Sequence, residues 1–194
     1  MWFLYSKFKG CHWQDYSPIK RLKILQALET KMAKKQHREP MPVVLSNKLG
    51  ESVLGTFEVE GHKKVLYISD KLIYEHHFRF YAMQTILHEG RHAYQYKVIN
   101  NDHISWFNFS ARRWKKNFNR YHTAKEDETL YAMQEVERDA QKFAIDTLKS
   151  LSYKYHNEKD FQWTLNNLID EFQQNTFDAR KKFGIFYKYK INKK

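Results

Sequence analysis

The sequence is poor in the residues that cross-link or interrupt a chain: 194 residues include one cysteine, three prolines and six glycines. The lone Cys11 excludes an internal disulfide and favours a reducing compartment. No apolar run approaches the roughly 20 residues of a transmembrane helix, and the apolar stretch after Met1 is too short for the core of a secretory signal. We therefore expect a soluble, cytoplasmic protein with no membrane span.

Aromatic and basic residues are abundant instead. Aromatics make up 16% of the chain, and the formal net charge is +12. With so few glycines and prolines, this composition predicts an ordered, helix-rich globule, and 194 residues fit a single domain, 1–194. The positive charge permits weak contact with nucleic acid, although the basic residues are spread along the whole chain.

The most informative stretch is residues 85–95, which contain the pattern His-Glu-x-x-His. On a helix, His88 and His92 lie four residues apart and point the same way. Two such imidazoles can bind one Zn²⁺, and Glu89, turned by about 100° from His88, can flank the metal as a general base. The alternative is a surface helix with two solvated histidines and an ordinary glutamate.

A catalytic zinc site needs a third protein ligand. A later helix offers Glu135 and Asp139, which are four residues apart and share a face, whereas Glu137 points nearly opposite to Glu135. One face can therefore supply Glu135 to the metal. Asp139 can then accept a hydrogen bond from the free ring nitrogen of a ligating histidine.

The surrounding pattern predicts an α+β fold with a minimal sheet of about three strands. Residues 1–16 are aromatic and ambiguous between a short strand and a strap over the core. Elsewhere the elements follow in order: a helix from Ser17 to about Glu39, a strand at 43–45, a hairpin of strands 53–59 and 64–69 around Gly61, a helix over 74–98, one or two short basic, aromatic helices within 103–122, one long helix after 128, and a helix over 160–182. The three strands are expected to form a small meander.

His-Glu-x-x-His followed by Glu-x-x-x-Asp on a later helix resembles the gluzincin metallopeptidases, of which thermolysin is the familiar member. The short layout is similar to the minimal versions, including the ImmA/IrrE-type peptidases, over about residues 43–148. The resemblance implies a zincin-like fold, with the sheet packed on the active helix and helices following it. It implies zinc bound by His88, His92 and Glu135, with Glu89 as catalytic base and Asp139 beside a zinc-bound histidine.

By the same resemblance, a zinc-activated water would attack a peptide bond of a protein substrate. Candidate donors to the resulting oxyanion are His122, Tyr131 and Tyr94, and Tyr131 is preferred because it lies one turn before Glu135. An edge strand at 54–58 would hold an extended substrate by strand addition. The chain departs from the family in Gly90, which costs about 1 kcal/mol of helix stability relative to alanine.

Two other functions remain open. The basic, aromatic stretch 106–121 could belong to a non-catalytic module that binds nucleic acid or protein, although the same pattern is typical of a packed helix with a solvated basic face. A proteolytic toxin domain is the third interpretation. Zinc content, chelator-resistant DNA binding, and growth arrest dependent on Glu89 distinguish the three.

Overall fold

Helices form most of the molecule, and a small sheet follows the third of them. The computed structural model describes residues 2–50, 53–101 and 109–183. Its elements in chain order are α1 Trp2–Ser6, α2 Gly10–Trp13, α3 Pro18–Lys35, β1 Val43–Ser46, β2 Gly55–Glu60, β3 Lys63–Ser69, α4 Lys71–Tyr74, α5 Arg79–Ile99, α6 Phe109–Phe118, α7 Glu128–Met133, α8 Glu135–Lys149 and α9 Lys159–Phe183, with short 3₁₀ turns at His76–Phe78 and Ser152–Lys154. The predicted α+β class with a three-stranded sheet is confirmed.

The sheet is mixed, with β3 between β1 and β2. β2 and β3 form the predicted antiparallel hairpin, and Gly61 occupies its tight turn with a φ of 60°, a conformation that glycine adopts without strain. β1 runs parallel to β3, pairing Val43 with Leu66. The predicted meander is therefore wrong, because β3 separates the two strands that precede it in the chain.

The N-terminal aromatic segment forms the short helices α1 and α2, so of its two predicted forms the short strand is wrong. Tyr5 of α1 and Phe8, in the turn that follows α1, are both buried, and the Phe8 ring stacks on Trp13 with 5.1 Å between centroids. The predicted start of α3 is confirmed: the Ser17 hydroxyl accepts a hydrogen bond from the Lys20 amide, and Pro18 occupies the first turn.

Helix α5, which carries the His-Glu-x-x-His pattern, lies at the centre of the fold. It packs against α3, α8 and strand β2. Apolar residues are buried on several of its sides, as expected for a helix surrounded by other elements: Phe80, Ala82, Met83, Ile86, Leu87 and Ala93. The helix begins at Arg79 rather than near Tyr74, because α4 and a 3₁₀ turn precede it.

The long helix predicted after residue 128 is two helices. Gln134 has an extended backbone and separates α7 from α8. Its side chain bonds the main chain of His122, and Asn117 of α6 accepts a hydrogen bond from the amide of Val136, in the first turn of α8. Tertiary contacts therefore fix the start of α8. Within the described ranges, no helix is both long enough and apolar enough to cross a membrane.

Candidate metal centre

Three side chains that could bind a metal ion come together between α5 and α8: His88, His92 and Glu137. The Nε2 atoms of His88 and His92 are 3.1 Å apart, and the Glu137 carboxylate places Oε2 at 3.2 Å from the first and Oε1 at 3.3 Å from the second. A tetrahedral zinc ion with bonds of about 2.0–2.1 Å separates its ligand atoms by about 3.3 Å. Two imidazoles and one carboxylate at these spacings could therefore hold a metal ion.

The acidic residue beside the two histidines is Glu137, so the prediction of Glu135 as the third ligand is wrong. Glu135 stands at the start of α8 and forms an ion pair with Arg113 of α6. Glu137 belongs instead to the buried face of α8, at helical spacing from Ala140 and Ala144, which pack against α5. The apolar periodicity of α8 could have identified Glu137 from the sequence, because Glu135 shares its face with the exposed Lys142 and Asp146.

Each imidazole contacts a carboxamide at its other nitrogen. His92 Nδ1 lies 2.9 Å from Gln95 Oε1, and His88 Nδ1 lies 3.2 Å from Gln141 Oε1. Asp139 was expected to contact a histidine directly, but it bonds Arg91 and accepts a hydrogen bond from the Gln95 amide. The expectation fails because Gln95, three residues after His92 on the same helix, reaches the ring first.

Glu89 is buried between α5 and strand β2. The main-chain N–H of Phe57, on β2, lies close to its carboxylate and favours the charged form. Such a close approach requires glycine at position 55, where an added Cβ would lie 2.5 Å from Thr85 Cγ2 and 3.3 Å from Glu89 Cγ. Burial raises the pKa of Glu89, and the neighbouring imidazoles oppose that rise. The carboxyl of Glu89 is thus buried beside His88, His92 and Glu137.

The charges of His92 and Glu137 shift each other's pKa. Burial alone would lower the pKa of His92, but the Glu137 carboxylate outweighs it and raises the pKa to about 9. Burial alone would raise the pKa of Glu137, but the imidazoles of His92 and His88 hold it well below its usual range. Without a metal, the centre is therefore an imidazolium–carboxylate pair that must release a proton when a cation binds.

Two phenols lie beside Glu137. The Tyr121 hydroxyl donates a 2.6 Å hydrogen bond to Glu137 Oε1, and the Tyr131 ring lies 6.1 Å from the Tyr121 ring. Burial raises the pKa of Tyr131, and the charges of Glu137 and Glu89 raise it further. The predicted donor Tyr131 thus lies within electrostatic reach of both carboxylates. Tyr121 could not be predicted from the sequence, since no spacing rule links its loop to the site.

The other two donor candidates have different contacts. His122 is tied by its main chain to the Gln134 side chain, and its imidazole lies near Glu126. Tyr94 packs against Trp114 and the Arg91 guanidinium. Among the described residues, neither ring belongs to the cluster of His88, His92 and Glu137.

Gly90, the unusual residue within the motif, faces a buried ion pair. An added Cβ would lie 2.9 Å from both Arg38 Nη2 and Glu29 Oε2. These two side chains are almost fully buried and hydrogen-bonded to each other, with 2.8 Å between the same two atoms. Glycine at this position therefore allows α5 to pack directly on the pair that joins α3 to the following loop.

The basic helix α6 packs against α5 and α8. Trp114 is buried against Tyr94, whereas Arg112 and Lys115 are exposed. This agrees with the interpretation of a packed helix with a solvated basic face. Trp106 and Phe107, from the same aromatic stretch, lie outside the described residues.

Comparison with known proteins found no relative of this chain. No family model matches the chain, and neither curated proteins nor solved structures show a significant similarity to it. The function must therefore be argued from the chemistry of the chain's own residues.

Proposed function

We propose that the protein is a zinc-dependent metallopeptidase of gluzincin type with a minimal zincin-like fold, which hydrolyses peptide bonds of a protein substrate. The observation that carries the proposal is the convergence of His88, His92 and Glu137 at zinc-ligand spacing beside the buried carboxyl of Glu89. Nitrogen and carboxylate ligands suit zinc, and three protein ligands leave a position for water.

Zinc bound by these residues would supply a Lewis acid and lower the pKa of its water toward about 7. Glu89 would be the residue that accepts a proton at this site and later delivers it to the leaving nitrogen of the peptide. A carboxyl with a raised pKa is suited to both transfers, because its proton affinity is closer to the working pH.

Tyr131 is the side chain best placed to stabilise the oxyanion. The charges of Glu137 and Glu89 both act on its phenol, so its hydroxyl lies near both the third ligand and the base. Tyr121 has a different role, because its hydroxyl already donates to Glu137 and holds that carboxylate in place. A neutral phenol donor is maintained by burial, which raises the pKa of Tyr131 above its ordinary value.

Strand β2 is suited to bind an extended peptide. It forms one edge of the sheet, and its Phe57 amide contacts Glu89, so a strand added along this edge would pass close to the base. We therefore propose β2 as the substrate-binding edge.

The proposal is tested with the Glu89→Gln variant and, as control, Glu75→Gln, which changes an exposed glutamate outside the site. Zinc-loaded proteins are incubated with a denatured protein mixture, and new peptide termini are identified by mass spectrometry. We expect cleavage by the wild type and the control, and at least about a hundredfold loss in Glu89→Gln, with zinc still bound. Zinc-dependent cleavage that survives in Glu89→Gln would contradict the assigned base. A zinc-loaded wild type that cleaves no peptide would contradict the peptidase itself.

A further inference from the structure

The orientation of the Gln95 carboxamide is determined by its neighbours. Its Nε2 lies 2.9 Å from the carbonyl oxygen of Val136 and 2.8 Å from Asp139 Oδ2. Both of these atoms accept hydrogen bonds and cannot donate them, so the nitrogen must face them and Oε1 must face His92. Because Oε1 is also an acceptor, His92 Nδ1 carries the hydrogen of their 2.9 Å contact. When His92 is neutral, as a metal ligand must be, its Nε2 is the unprotonated nitrogen and faces His88 and Glu137.

Asp139 is itself held in place by Arg91. The guanidinium donates from Nε to Oδ2 at 2.7 Å and from Nη2 to Oδ1 at 3.1 Å. The same guanidinium lies over the rings of Tyr94 and Phe143, at 4.5 and 5.0 Å from their centroids. Arg91, Asp139, Gln95 and His92 thus form a continuous chain of hydrogen bonds that ends at the ligand nitrogen.

We propose that Gln95 is a positioning residue for the metal: it fixes the ring angle and the Nδ1-protonated form of His92, and the Arg91–Asp139 pair fixes Gln95. This inference rests on the proposed zinc site. In place of a carboxylate, a neutral carboxamide contacts the ligand, and the negative charge of Asp139 is offset by Arg91. The chain therefore transmits orientation to His92 without adding net charge to the metal centre.

The experiment compares Gln95→Leu with Gln26→Leu, which removes another largely buried carboxamide that bonds the main chain at Met41 and Val43, away from the metal centre. Zn²⁺ affinity is measured by competition with a chelator, and the visible absorption of the Co²⁺-loaded proteins reports ligand geometry. Thermal unfolding of the metal-free proteins measures any general loss of stability. Asp139→Asn is the second variant; Asp139 is partly exposed, so this change perturbs the core less.

We expect Gln95→Leu to weaken zinc binding about 10–100-fold and to change the Co²⁺ spectrum. Asp139→Asn should weaken zinc binding about tenfold, while Gln26→Leu lowers thermal stability without changing either metal measurement. The inference is overturned if both site variants bind Zn²⁺ and Co²⁺ as the wild type does, which leaves the metal site itself intact. A wild type that binds no metal would instead refute the proposed function.

Discussion

Gly90→Ala provides a test in which helix propensity and tertiary packing predict opposite signs. Position 90 lies in the middle of α5, where alanine should favour the helix by about 1 kcal/mol. The added methyl group would, however, lie 2.9 Å from each of two atoms of the Glu29–Arg38 pair. Contact at that distance requires the pair to move.

The ion pair has little freedom to move. Arg38 Nε donates to Gln36 Oε1 at 2.8 Å, and Glu29 Oε1 accepts from the Met41 amide at 3.0 Å. Overpacking a core costs about 1–3 kcal/mol, and separating a buried ion pair costs about 3–5 kcal/mol. Subtracting the propensity gain of about 1 kcal/mol from the overpacking cost, we expect Gly90→Ala to lower the free energy of unfolding by up to about 2 kcal/mol.

Urea unfolding of the metal-free protein measures this change. The same substitution in a Glu29→Leu, Arg38→Met background is the control, because the pair is then absent and only the propensity term remains. There Gly90→Ala should be neutral or stabilising. If Gly90→Ala stabilises the otherwise wild-type protein by about 1 kcal/mol, the packing explanation for this glycine is wrong.

A change of pH and substitutions at Tyr121 and Gly55 provide three further tests. Because the pKa of His92 is raised from 6.5 to about 9 in the metal-free protein, the pair with Glu137 contributes stability below pH 6.5 that is lost as the pH rises through about 9. Zinc must displace that proton, so its affinity should rise about tenfold per pH unit up to about 9, as measured by calorimetry; a flat profile would contradict the coupling. Tyr121→Phe removes the hydroxyl from Glu137 and should weaken zinc binding about tenfold in chelator competition, with little change in unfolding. Gly55→Ala places a methyl group 2.5 Å from Thr85 Cγ2 and should lower the thermal midpoint; an unchanged midpoint would contradict the close approach of β2 to α5.

Local sequence patterns were sufficient for most of the elements. The Ser17 cap with Pro18, the Gly61 turn and the His88–His92 spacing each depend on neighbours within a few residues, and each has its expected local structure. The order of the strands was not predictable in this way. β1 and β3 are joined by pairing across more than 20 residues, and no periodicity encodes that choice.

Helical spacing alone did not identify the third ligand. Spacing alone identified two possible faces of α8 but not the face that meets α5. The buried Ala140 and Ala144 place Glu137 on that face, whereas Glu135 meets Arg113. Tyr121 reaches the site from the loop before α7, so it could be found only from the structure.

The most direct test is the zinc content of the purified protein after dialysis against a weak chelator, with Glu137→Gln beside Glu135→Gln. The two variants make the same chemical change two residues apart on one helix. We expect about one zinc per chain in the wild type and in Glu135→Gln, and little in Glu137→Gln. Zinc lost from Glu135→Gln but kept by Glu137→Gln, or none in the wild type after zinc is added, would contradict the proposed metal centre.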